Sequence, residues 1–183
     1  MKDKMKIVVI IVSLVLLVVI VKFGYGYLSG KYLPNDISSL QTESKEAKDF
    51  TVYDEDGNTV KLSDFKNKKP VVVNIWASWC GPCKEEMPYF EEAIKKYGDE
   101  VEILMVNLTD GKRETKEKAL KFLKDNNLEM KVLFDEKLSA STTYNIKGIP
   151  RSIFINKAGK IAYDREGLID KDTLFNNIKK ILE

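Results

Sequence analysis

No histidine occurs among the 183 residues, and cysteine occurs only twice. Without histidine, neither a Ser-His nor a Cys-His nucleophilic pair can be built. A closed zinc site draws its four ligands mostly from Cys and His, so it is excluded as well, and nothing in the composition points to another metal or to a cofactor. Two cysteines are also too few for a small secreted domain stapled by several disulfides. Charge of one sign is lacking too: Lys and Arg total 30 and Asp and Glu 28, a net charge of +2 that offers no electrostatic case for nucleic acid. What is present is 44% hydrophobic and 32% charged residues, an ordinary globular mixture with a greasy addition.

The addition is at the start. After MKDKMK comes Ile7–Val21, IVVIIVSLVLLVVIV, with no charge and only Ser13 polar. As a helix this run rises about 22 Å; continued to Leu28 it reaches about 33 Å, enough for a hydrocarbon core of about 30 Å once Lys22 snorkels outward. Phe23, Tyr25 and Tyr27 would sit at the lipid interface, and Lys2, Lys4 and Lys6 favour an N-terminus inside and the rest outside. The competing reading, a cleaved signal peptide, lacks an A-x-A site; Gly24 and Gly26 are the nearest small pair. The expected organisation is a cytoplasmic stub (1–6), a transmembrane anchor in contact with lipid (7–28), a polar linker (29–47) and a folded domain (48–183) outside the cytoplasm.

Within the domain the spacing of apolar residues alternates between strand and helix periods. DFTVYDEDGNTVKL reads as a hairpin around Asp56-Gly57-Asn58, followed by a helical turn capped at Ser63-Asp64. PVVVNIWAS reads as a central strand buried on both faces. Cys83, Met87, Phe90, Ile94 and Tyr97 then form one helical stripe that Gly98 stops. VEILMVNL predicts a strand. ETKEKALKFLKDNN predicts a helix with a narrow apolar side, Ala119, Leu120, Phe122 and Leu123, and a solvated face crowded with Lys and Glu. KVLFD is a short strand and LSASTTYNI a short helix or turn. RSIFIN and KIAYDREG flank Lys157-Ala158-Gly159 as a second hairpin, and DKDTLFNNIKKIL is a helix capped by Asp170 or Asp172. This succession implies an α/β domain, a mixed central sheet with helices on both faces.

Both cysteines lie in WASWCGPCKEEMP, Trp76 to Pro88. A C-x-x-C between a strand and a helix points to thiol–disulfide exchange. Cys80 falls at the helix start, where unpaired N–H groups and the helix dipole favour a thiolate. Gly81 keeps the approach free of side chains, and Pro82 costs little in a first turn. Cys83, nearly one turn on, can attack a mixed disulfide on Cys80 and release the product. Cys80 is therefore expected to be the exposed nucleophile and Cys83 the shielded resolver. A static disulfide is the competing reading, but so small a ring constrains the unfolded chain little.

VNIWASWCGPCKEEMP resembles the thioredoxin superfamily, specifically its membrane-tethered extracytoplasmic branch of the TlpA/ResA type, over about Lys48 to Glu183. The resemblance implies a thioredoxin fold, with Glu114 to about Phe134 as the helix–strand insertion of this branch. It places Trp79 in the exposed contact surface, makes Pro88 the kinking proline of the active-site helix, and makes Ile149-Pro150, in KGIP, a cis bond beside the dithiol. Where thioredoxin has a buried aspartate six residues before its first active cysteine, this chain has Asn74, which cannot exchange a proton. Glu86 matches the acidic residue of the tethered branch, for which the resemblance implies proton transfer and control of the thiol pKa. The alternative is a charge complementing the helix N-terminus, as at Glu85. Arg151 stands where the family usually has threonine, leaving either a more polar substrate groove or a solvated arginine. Trp76 reads as core packing.

Together these features describe an enzyme that reduces disulfides of exported client proteins, recharged, as the family implies, by a CcdA/DsbD-like membrane thiol-electron donor. Gly-Pro between the cysteines, the absence of histidine, and Glu85 and Glu86 taken as first-turn charges opposing a thiolate favour a reductant. A disulfide-forming oxidase is the nearest alternative. A client-binding adaptor is another, though it would not need both cysteines. A peroxidase would need Thr or Ser three residues before Cys80, where Ala77 stands.

Overall fold

The computed structural model describes residues 45–183 and, before them, positions 14, 16–20 and 22, which are helical. The remainder of the anchor expected over 7–28, the stub and most of the linker lie outside the described residues. Among the described residues no helix is long and apolar enough to cross a membrane. The chain divides into two units, Met1–Glu43 and Ser44–Glu183.

The second unit is built on one sheet of β1 (Thr51–Tyr53), β2 (Thr59–Lys61), β3 (Val71–Trp76), β4 (Glu102–Asn107), β5 (Val132–Phe134), β6 (Arg151–Ile155) and β7 (Ile161–Glu166), in the order β2-β1-β5-β4-β3-β6-β7. β3, β4 and β5 run parallel, while β6 is antiparallel to both β3 and β7, and β1 to both β2 and β5. The helices are α1 (Gly81–Tyr97), α2 (Lys116–Asp125), α3 (Ser139–Thr143) and α4 (Lys171–Leu182), with a 3-10 turn at Leu62–Phe65.

β3 is buried along its whole length, as its VVVNIW run requires. Strand alternation sends Val72 and Trp76 into a cluster with Met87 and Phe90 of α1, Ala119 and Leu123 of α2, and Leu174 and Ile178 of α4. It sends Val71, Val73 and Ile75 to the other face, with Leu62 of the 3-10 turn and Ala140 of α3. Each buried Val, Leu, Ile, Met or Phe side chain among these stabilises the domain by about 1.5–3 kcal/mol. Asn74 shares the α1 face by the same alternation, which decides its partner below.

α1 ends at Gly98, where a Cβ would stand 2.7 Å from the Ile94 carbonyl oxygen; only glycine fits that approach. Of the two candidate caps for α4, Asp170 is the one used, accepting from the Thr173 N–H at 2.9 Å. The expected insertion is α2 plus β5, and β5 joins the N-terminal hairpin to β4. The chain meets the sheet edge before residue 48: the Ala47 N–H donates to Gly159 O, and the Ile161 N–H to Lys45 O, both at 2.9 Å. That pairing uses main-chain groups alone, so the polar sequence of the linker gives no sign of it.

Candidate active site

β3 delivers the chain at Trp76 into the loop Ala77–Trp79, and Cys80 becomes the N-cap of α1 with extended backbone. Cys80 and Cys83 are joined in a disulfide. The Cys83 N–H, unpaired within the helix, points at Cys80 Sγ at 3.2 Å. The same sulfur lies 3.6 Å from the carbonyl oxygen of Ile149, and the Ile149-Pro150 peptide bond is cis. Elements remote in sequence therefore meet at one sulfur.

The sequence led us to expect an exposed Cys80. Only 4% of its surface is open, against none for Cys83. Cys80 is thus nearly closed, with the Ile149 carbonyl, on the segment before β6, against its sulfur. Trp79, 36% exposed, and the exposed Gly81 and Pro82 form the rim. Trp76 is core, beside Phe122.

Glu86 is not in the first turn, nor is Glu85: α1 begins at Gly81, and its first turn holds no acid. Glu86 is 0% exposed. Its Oε1 accepts from Asn74 Nδ2 at 2.7 Å and its Oε2 from the Ile169 N–H at 2.8 Å. Asn74 Nδ2 also donates to Ser152 Oγ at 3.1 Å, while its Oδ1 has no partner. Burial pushes the Glu86 pKa up to about 7, against the opposing pull of the Ile169 N–H, the Asn74 amide and the Arg165 charge. Asn74 thus holds the Glu86 carboxyl, which is buried inside the domain and not placed in the first turn of α1.

A second buried carboxylate was not visible in the sequence. Glu114, just ahead of the α2 cap Thr115, accepts with Oε1 from the Ser78 N–H at 2.9 Å and Asn107 Nδ2 at 2.8 Å. Its Oε2 accepts from the Ser78 hydroxyl at 2.7 Å. It clamps the dithiol loop to the end of β4. Arg113 beside it lies over the Trp79 ring, 3.4 Å from the centroid. Arg151, partly exposed, is ion-paired: it is bidentate to Asp164 (2.6 and 2.9 Å) and bonds Glu166 (2.8 Å). A concavity of about 230 Å³ lined by Glu46, Leu62, Lys66 and Asn156 lies near the far ends of β3 and β6, away from the dithiol. Among the described residues no cluster of three or more His, Cys, Asp or Glu could hold a metal.

The fold and the dithiol have clear counterparts. Residues 44–164 match the AhpC/TSA family. The chain belongs to that family. The thiol-disulfide oxidoreductase ResA of Bacillus thuringiensis subsp. konkukian is 36% identical over 138 residues, 75% of this chain and 77% of the relative. The pneumococcal exposed lipoprotein thioredoxin Etrx1 of Streptococcus pneumoniae is 31% identical with a TM-score of 0.63, over 73% of this chain and 99% of that structure. StoA of Bacillus subtilis is 26% identical, with a TM-score of 0.62 over 72% and 96% of the two chains. This family member has the thioredoxin fold and is a thiol-disulfide oxidoreductase.

Proposed function

We propose that the enzyme reduces disulfides of exported proteins on the outer side of the membrane, tethered there by residues 7–28. The supporting observation is the asymmetry of the pair: Cys80 has the opening and the Cys83 N–H at 3.2 Å from its sulfur, and Cys83 has neither. An N–H pointing at sulfur strengthens when the sulfur is anionic, so it favours a Cys80 thiolate.

In the reaction, the Cys80 thiolate attacks one client sulfur, and the other client sulfur leaves as a thiolate and takes a proton. The Cys83 thiol, deprotonated with Glu86 as the internal acceptor, attacks Cys80 Sγ and expels the second client thiolate, which is protonated in turn. Two electrons pass from the dithiol to the client, whose disulfide becomes two thiols. Trp79, Gly81, Pro82 and Ile149 form the surface against which the client lies, with Pro150 buried beside Ile149. A CcdA/DsbD-like membrane donor then returns two electrons to the Cys80–Cys83 disulfide.

The test is trapping in the native host. Cys83→Ser should accumulate exported proteins disulfide-linked to Cys80 in the membrane fraction, while Cys80→Ser should hold none. Linked partners confined to the cytoplasm, or a catalytic domain recovered free of the membrane, would overturn the proposal.

A further inference from the structure

We infer that Arg113 is a specificity-determining residue that favours client disulfides with an acidic residue beside the cysteine attacked by Cys80. The inference rests on the proposed exchange reaction and adds to it the chemistry of the client.

The position of Arg113 is fixed by its loop. Asp110 Oδ1 accepts from the N–H groups of Lys112 (2.8 Å) and Glu114 (2.9 Å), and the Gly111 N–H donates to Glu114 O at 3.0 Å. Lys118 Nζ donates to Arg113 O at 2.9 Å. The side chain of Glu114 is buried against Ser78, two residues before Cys80. So the guanidinium over Trp79, at 3.4 Å, is carried by a loop tied directly to the dithiol segment.

Its charge is also available. Stacking uses the planar face of a guanidinium and leaves the N–H edge free for a bidentate carboxylate. Among the described residues Arg113 has no carboxylate partner, whereas Arg151, beside Pro150 on the other side of the dithiol, is matched by two, Asp164 and Glu166. Lys84, after the dithiol, is turned toward the Phe122 ring, 5.4 Å from its centroid. A client strand reaching Cys80 over Trp79 therefore meets the free guanidinium edge of Arg113 with the exposed Lys112 beside it, while at the cis-proline segment Arg151 is matched by two carboxylates and Lys147 is exposed.

The test uses the full-length reduced protein in detergent and three symmetric peptide disulfides with Asp, Asn or Lys beside the cysteine. Each rate is referred to that with dithiothreitol, which removes the intrinsic effect of the flanking charge on the disulfide. The Asp peptide should be preferred over the Lys peptide by about two- to fivefold, the size of one exposed ion pair. Salt at about 1 M, where the screening length is about 3 Å, should erase the preference. Arg113→Ala should bring the ratio close to one, Arg113→Glu should invert it, and Arg113→Lys should keep its direction. A ratio unchanged in the Ala and Glu variants overturns the inference, even if all three rates fall together. Equal wild-type rates on the three peptides overturn it while leaving the exchange reaction standing. Failure to reduce even the Asn peptide removes both.

Discussion

At the residue scale, Glu86 is the side chain whose behaviour departs most from its type. A fully buried carboxyl titrating at about 7 is costly when charged. Because its folded pKa is raised, its contribution to stability is full below the ordinary value of 4.5. That contribution declines as pH rises and levels off above about 7. The change is on the order of 3 kcal/mol across that window. Glu86→Gln should remove this decline, so that the variant gains on the wild type between pH 5 and pH 8 in urea unfolding of the oxidised protein. Parallel stability curves for the two would show that the carboxyl does not titrate there. The unpartnered Asn74 Oδ1 fits this behaviour. Turned round, the Asn74 amide presents Oδ1 to a protonated Glu86 or to a glutamine, and the Ser152 hydroxyl serves either orientation as donor or acceptor. In exchange assays, Glu86→Gln should slow reduction and flatten the pH profile around neutrality; an unchanged profile would exclude Glu86 from proton transfer.

At the scale of elements, the dithiol loop is held from two sides, by Glu114 and by the cis-proline segment. Glu114→Ala strands the Ser78 and Asn107 donors in a buried site, at about 1–3 kcal/mol for each group left unpaired. Glu114→Gln can still accept from both with its Oε1 and donate to the Ser78 hydroxyl with its amide. The alanine variant should therefore lose clearly more stability than the glutamine variant in chemical denaturation. Equal losses would mean that the charge of Glu114, not its hydrogen bonds, holds the loop. The elements themselves were legible in sequence because their apolar periods are clean: β3, α1 and both hairpins lie where alternation and helical spacing put them. The clamp was not legible. Glu114 stands in a segment crowded with Lys and Glu, where a carboxylate next to a helix cap reads as a solvated charge, and only tertiary contact with Ser78 distinguishes it. Arg151 was ambiguous for a similar reason, since its partners Asp164 and Glu166 lie on β7 across the strand pair. Glu86 was legible through the resemblance to the tethered branch, whose acidic position it matches. Its burial was missed because a charged residue was not counted into the apolar stripe, where it sits beside Met87.

At the scale of the whole molecule, location and local chemistry pull the direction of electron flow opposite ways. Outside the cytoplasm, where we propose the domain lies, the surroundings favour disulfides and so, on location alone, an oxidant. The chemistry around Cys80 argues the other way. A strong oxidant has a potential of about −120 mV and a nucleophile pKa of about 3.5, against about −270 mV and about 7 for thioredoxin. Here the thiolate is favoured by the α1 N-terminus and the Cys83 N–H at 3.2 Å, with no histidine anywhere in the chain. Arg113 is exposed on the face of Trp79, and a unit charge 4 Å away through water is worth only about 1 kcal/mol. The buried carboxyl of Glu86, on the same helix α1, opposes a thiolate when ionised. We predict a midpoint of about −250 mV; the gap of about 130 mV from a strong oxidant is about 6 kcal/mol, several times what Arg113 can supply. A reductant poised so low, facing an oxidising compartment, needs recharging, which suits the tether proposed from the apolar run at 7–28 and the membrane donor that the family implies. Equilibration of the full-length protein in a dithiothreitol or glutathione redox series measures the midpoint. A value above about −180 mV, close to that of a disulfide isomerase, would reverse the direction of electron flow and make disulfide formation the better reading.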